Sequence, residues 1–137
     1  MLSRLPIALL LMGLCVTIHA AGVSGALRQL RRRRPPTSDF WPTTRLFVFI
    51  AGWIVLLHVA EISVWAVFYL WREAMPDLGA ALYFSAVTYT TTGYGDLVLA
   101  EGWRIVGAVE ALTGILMCGW STGFFFAVVN RVYEAGT

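Results

Sequence analysis

The chain has no lysine, few charges and little length to spare. Its ten basic residues are all arginine, eight residues are acidic, and charged residues make up 13% of the 137. Soluble domains carry about a quarter charged residues, so a water-exposed globular fold is excluded. Only two cysteines occur, Cys15 and Cys118, both inside apolar stretches, where thiols behave as small hydrophobes and are poorly placed to pair. The sequence shows no metal-site spacing, nucleophile triad or phosphate loop, and His19 and His58 lie singly in separate apolar runs. An enzyme is therefore not expected, and neither is a resident cofactor.

What remains is apolar: 58% of residues are hydrophobic and the mean hydropathy is +0.72. Three stretches, 5–27, 46–71 and 105–129, each reach the roughly 20 residues that a helix needs to cross about 30 Å of hydrocarbon. The chain reads as an all-α membrane protein. Little is left for a soluble catalytic domain, and the tail from Asn130 is too short to fold alone, so regulation by an attached cytosolic domain is not expected. The first stretch also resembles a cleaved secretory signal, with Arg4 ahead of the apolar run and small residues at Ala20, Ala21 and Gly22. Its apolar character continues to Leu27, which favours a spanning helix.

Cytoplasmic loops carry the excess of basic residues. The loop after the first stretch holds Arg28, Arg31, Arg32, Arg33, Arg34 and Arg45; the segment after the second holds Arg72 and Arg104 against Glu73, Asp77, Asp96 and Glu101. The first loop is thus expected inside, with the N-terminus outside and the C-terminus in the cytoplasm, in the cell (inner) membrane. Pro35, Pro36 and Pro42 punctuate that loop and keep it extended or turned. Arg31, Arg32, Arg33 and Arg34 either set topology alone or also bind anionic lipid headgroups. A nucleic-acid patch does not fit a short run that is tethered to the membrane and lacks interleaved aromatics.

The outer segment is too long for a tight turn and too apolar for an exposed loop. From Asp77, an N-cap candidate behind Pro76, the residues Leu78, Ala81, Leu82, Ser85, Ala86 and Tyr89 recur at helical spacing. Thirteen residues reach only about 20 Å, so this helix ends mid-membrane with its partial negative charge toward any cation held there. Irregular backbone at such depth is tolerated only where it is buried in protein or lines water. Thr91-Thr-Gly-Tyr-Gly95 has that character. A strand whose successive carbonyls face one side can replace the hydration shell of a cation, with Gly93 and Gly95 permitting the dihedrals and Thr91 adding a hydroxyl. One chain supplies one side of such a ring, so several copies around an axis are required.

The run Thr88-Tyr-Thr-Thr-Thr-Gly-Tyr-Gly-Asp96 resembles the selectivity-filter signature of potassium channels, and the order span, half-helix, filter, span resembles the pore domain of their two-transmembrane bacterial members. The resemblance covers residues 46–133 and leaves the first span outside. It implies a homotetramer with Thr91, Thr92, Gly93, Tyr94 and Gly95 lining the filter, Asp96 at its outer mouth, Tyr83 and Phe84 as supporting aromatics, and Gly114 at an inner-helix hinge. Thr92 stands where the family usually has valine or isoleucine, and Val87 stands where some members carry a buried acid, so Asp96 needs another partner. The extra span is either a scaffold outside the pore domain or a modulator.

Four ionisable residues lie within spans: His19, His58, Glu61 and Glu110. Charges in hydrocarbon need partners or neutralisation. His58 and Glu61, three apart on one helix face, either join helices or sense protons. Glu110, one turn before Gly114, either approaches the cavity or bonds a group such as Ser85, Thr88 or His19. In the last span Ile115, Gly119, Thr122 and Phe126 recur on one face, with Phe126 either a dewetting gate or a packing residue. Gly107, Gly114, Gly119 and Gly123 allow close helix contact or act as hinges.

These readings assemble into an all-α pore-loop fold. An N-terminal transmembrane helix (1–27) and a basic cytoplasmic linker (28–45) precede a pore domain (46–133) comprising an outer helix (46–71), pore helix (77–89), filter (91–95) and inner helix (103–130); a short tail (134–137) follows. The expected function is a potassium-selective channel that partners with itself, with K+ as permeant ion at Thr91, Thr92, Gly93 and Tyr94. The alternatives are a weakly selective cation channel and a non-conducting subunit that regulates a partner.

Overall fold

The computed structural model describes residues 2–32 and 40–134. Four α-helices account for most of them: α1 (Leu5–Arg32), α2 (Phe40–Trp71), α3 (Leu78–Tyr89) and α4 (Arg104–Glu134), with single 3-10 turns at Leu2–Arg4 and Glu101–Trp103. Three of the helices are long and apolar enough to cross a membrane, and α3 is not. At about 1.5 Å per residue, the 12 residues of α3 give roughly 18 Å.

The stretch 28–45 corrects the sequence reading, because its described flanks are helical. Helix α1 continues through Arg28, Arg31 and Arg32, and α2 begins at Phe40, before Pro42. Arginine is a good helix former and favours the negative end of the helix dipole; proline is tolerated in a first turn, where its missing N–H has no helical partner to lose. Arg33, Arg34, Pro35 and Pro36 fall outside the described residues.

Helix α2 stops at a Schellman motif. Glu73 takes a left-handed φ of 53°, its N–H donates to Leu70, and the Ala74 N–H donates to Tyr69, which satisfies the last free carbonyls of the helix. The chain then re-enters as α3, capped by Asp77, whose side chain accepts from the Ala80 N–H at 2.8 Å.

Packing fixes the order of the spans. Helix α1 lies against both α2 and α4, and α3 sits between α2 and α4. The Arg4 guanidinium stacks 3.6 Å above the Trp103 ring, so the N-terminal ends of α1 and α4 share one face of the bundle. Helix α1 buries a single seam, Ala8, Cys15, His19 and Val23, at spacings of seven, four and four, as expected for one helix face. Below it, Trp65, Tyr69, Phe84, Tyr89 and Met117 form the core around the pore helix. The first span is therefore built into the pore-domain core.

Candidate functional site

Helix α3 ends the way α2 does, in a second Schellman motif, and this ending sets the backbone of residues 91–95, the expected filter segment. Thr90 caps the helix, Thr91 turns left-handed with φ 60°, and the N–H groups of Thr91 and Thr92 donate to Thr88 and Val87. A β-branched residue is a poor occupant of that position, so the turn stores strain where the filter starts. Positive φ recurs at Gly93 (58°) and Gly95 (79°), while Thr92 and Tyr94 between them stay negative. In an extended strand successive carbonyls point to opposite sides; left- and right-handed residues in alternation bring them to one side.

Hydrogen bonding separates the two sides of this strand. The amides of Thr91, Thr92 and Gly93 are held by carbonyls of the last turns of α3. Among the described residues, no backbone donor reaches the carbonyls of residues 91–95. All five residues are exposed on the isolated chain. Within a membrane, unpaired carbonyls are tolerable only beside protein or water.

The residues around the strand take defined places. Asp96 accepts a hydrogen bond from the Tyr83 hydroxyl at 2.7 Å, and that bond holds its carboxyl below the ordinary carboxylate range. Phe84 is buried, edge-on to Tyr69 with ring centroids 5.3 Å apart. The Thr92 hydroxyl lies 2.9 Å from that of Thr90. Gly114 lies inside unbroken helix, and a Cβ there would overlap the Tyr89 carbonyl; its lack of a side chain lets α4 cross the end of the pore helix. Ile115, Gly119, Thr122 and Phe126 are all exposed on the isolated chain, forming one free face of α4.

Of the partners named from sequence, Ser85 lies near enough to interact with Glu110, whereas no hydrogen bond joins Glu110 to Thr88 or His19. Glu110 is fully buried and accepts from the Tyr69 hydroxyl of α2 at 2.7 Å. The reason is register: Tyr69 and Glu110 face each other across the α2–α4 contact, and nothing in either local sequence signals that pairing.

The histidines, isolated in sequence, are together in space, which corrects the reading that they form no cluster. His19 Nδ1 lies 2.9 Å from Glu61 Oε1, and Tyr89 donates to Glu61 Oε2. His58 Nδ1 lies 3.1 Å from the Tyr89 hydroxyl, and Ser121 Oγ lies 3.1 Å from Nε2 of both histidines. Five hydrogen bonds thus close a ring through all four helices. Each bond needs one proton, so the closed ring is neutral overall: either a carboxylate with one imidazolium, or a carboxylic acid with two neutral imidazoles. Neutrality is what burial in hydrocarbon favours. Neither the tyrosine nor the serine was singled out from sequence for this ring, since only the crossing of the helices brings them in.

Two apolar spans flanking a half-length helix and a carbonyl-lined strand define a multi-pass membrane protein of the pore-loop class. A family model described as ion channel matches residues 43–131. The chain belongs to this ion channel family, and its all-helical architecture is the pore-loop channel fold. No curated protein and no solved structure gives a significant match.

Proposed function

We propose that the chain forms a homotetrameric, potassium-selective channel. The free carbonyls of Thr91, Thr92, Gly93 and Tyr94, repeated four times around an axis, replace the hydration shell of K+, with the Thr91 hydroxyl as the innermost ligand. The observation that carries this reading is the alternation of positive φ at Thr91, Gly93 and Gly95 with amides tied back to α3 and carbonyls left unpaired. Asp96 draws cations to the outer mouth, the exposed face of α4 lines the inner cavity, and Phe126 narrows its inner end. The arginines at the end of α1 lie at the cytoplasmic face and meet anionic headgroups, with the N-terminus outside.

The test is rubidium uptake into liposomes containing only this protein, with barium block and sodium competition. Barium-sensitive uptake that sodium does not reduce supports the proposal. Uptake reduced equally by sodium points to a weakly selective cation channel, and absence of uptake from an intact tetramer points to a non-conducting subunit.

A further inference from the structure

We propose that His19, His58 and Glu61, with Tyr89 beside them, form a binding site for a divalent transition-metal ion of the Zn2+ class, tying α1 and α2 to the last turn of the pore helix. Two imidazoles and a carboxylate are a donor set suited to zinc. The three residues offer donor atoms that all lie within 4.8 Å of one another. A tetrahedral ion about 2.0–2.1 Å from each ligand needs donors roughly 3.3 Å apart. His19 Nδ1 is 2.9 Å from Glu61 Oε1 and His58 Nδ1 is 3.7 Å from Glu61 Oε2; with all donors within 4.8 Å of one another, side-chain shifts of up to about 1.5 Å admit the ion.

The outer hydrogen bonds fit the same purpose. Ser121 Oγ stands 3.1 Å from both Nε2 atoms, and one hydroxyl oxygen has the two lone pairs needed to accept from both. With the ion bound, that arrangement keeps both protons on Nε2 and frees both Nδ1 lone pairs, as partners of ligating histidines do. Tyr89 holds Glu61 through Oε2 and lies 3.1 Å from His58 Nδ1, which puts its oxygen at the fourth corner. His19 and Glu61 are closed off, whereas the His58 side chain is 17% exposed and leaves one route in. Ion and protons are alternative occupants of the same donors. The proton-closed ring holds five protons, and the loaded form keeps four, on the two Nε2 atoms and the two hydroxyls, so one proton leaves as each ion binds. Tyr89 lies two residues before Thr91, so an ion here stiffens the junction between pore helix and filter. That effect on flux rests on the channel reading; the site itself does not.

The test titrates ZnCl2 into the full chain, purified in detergent and stripped of metal. The expected results are about one zinc per chain, an X-ray absorption spectrum with only nitrogen and oxygen neighbours at about 2.0 Å, and a melting temperature about 9 °C higher at a hundredfold excess over Kd. Ser121→Ala lowers the affinity roughly tenfold, His58→Ala abolishes binding, and Cys118→Ala leaves it unchanged. Failure of folded wild-type protein to bind zinc overturns the proposal without recourse to any variant. Sulfur neighbours in the spectrum, or an affinity unchanged in both His58→Ala and Ser121→Ala, also overturn it.

Discussion

At the scale of single residues, backbone conformation decides more than side-chain contact. A Cβ added at Gly95 meets nothing within 4 Å in the chain, yet φ there is 79°. Gly95→Ala therefore acts through conformation, at about 1–2 kcal/mol per copy, and rotates the carbonyls it governs. The expected outcome is loss of potassium flux with the tetramer still assembled, checked by liposome flux beside size-exclusion chromatography. Asp96 offers a second residue-level prediction. The Tyr83 hydroxyl keeps the Asp96 pKa depressed, so its stabilising charge is present above the unfolded-state pKa and is lost only as pH falls through the lower folded value. Tyr83→Phe removes the donor and returns the carboxyl toward its ordinary range. Flux in the variant should begin to fall at a higher pH than in wild type as the bath is acidified, because Asp96 is neutralised earlier; coincident pH profiles would separate Asp96 from conduction. The unusual backbone at Gly93 and Gly95 was legible because glycine spacing is a local pattern with a backbone cause. The Tyr83–Asp96 and Thr90–Thr92 bonds were not, since each depends on how the strand folds back along α3.

At the scale of helices, two buried contacts set how α4 meets its neighbours. Tyr69 donates to Glu110 where neither residue reaches solvent. Glu110→Gln keeps an acceptor for that hydroxyl, so melting temperature and the pH dependence of conductance should stay close to wild type. Glu110→Leu leaves the Tyr69 hydroxyl without an acceptor, at a cost of about 1–3 kcal/mol, and should lower the melting temperature. A pH-dependent conductance lost in the glutamine variant would instead make Glu110 a cavity residue. Gly114 and Gly119 offer a paired comparison. A Cβ at Gly114 overlaps the Tyr89 carbonyl, whereas one at Gly119 has nothing within 4 Å in the chain. Gly114→Ala should cost about 3 kcal/mol or more by forcing α4 from the pore helix, and Gly119→Ala should be far milder in a thermal melt of the purified protein. The cores of the spans and the half-length of α3 were readable from apolar run lengths. Helix ends were less so: arginine extends a helix as readily as it marks a loop, and α1 and α2 both run on into the basic stretch.

At the scale of the whole molecule, the N-terminal helix changes how the chain is understood. Its sequence shows only an apolar run with one histidine, and nothing in that pattern tells a detached scaffold from a core helix. The packed bundle makes it part of the interior, with His19 completing a ring that ends on Tyr89, beside the filter. The ring escaped the sequence reading because its members are up to 102 residues apart, and only the crossing of four helices brings them together. In the proposed tetramer, copies of the chain would cover the exposed 91–95 strand and the free face of α4. The central claim is that this assembly selects potassium through backbone carbonyls. It is tested most directly by the reversal potential of purified protein in a planar bilayer with potassium on one side and sodium on the other. The account predicts a large potential of the sign set by potassium permeation; a reversal potential near zero with currents of normal size would contradict it.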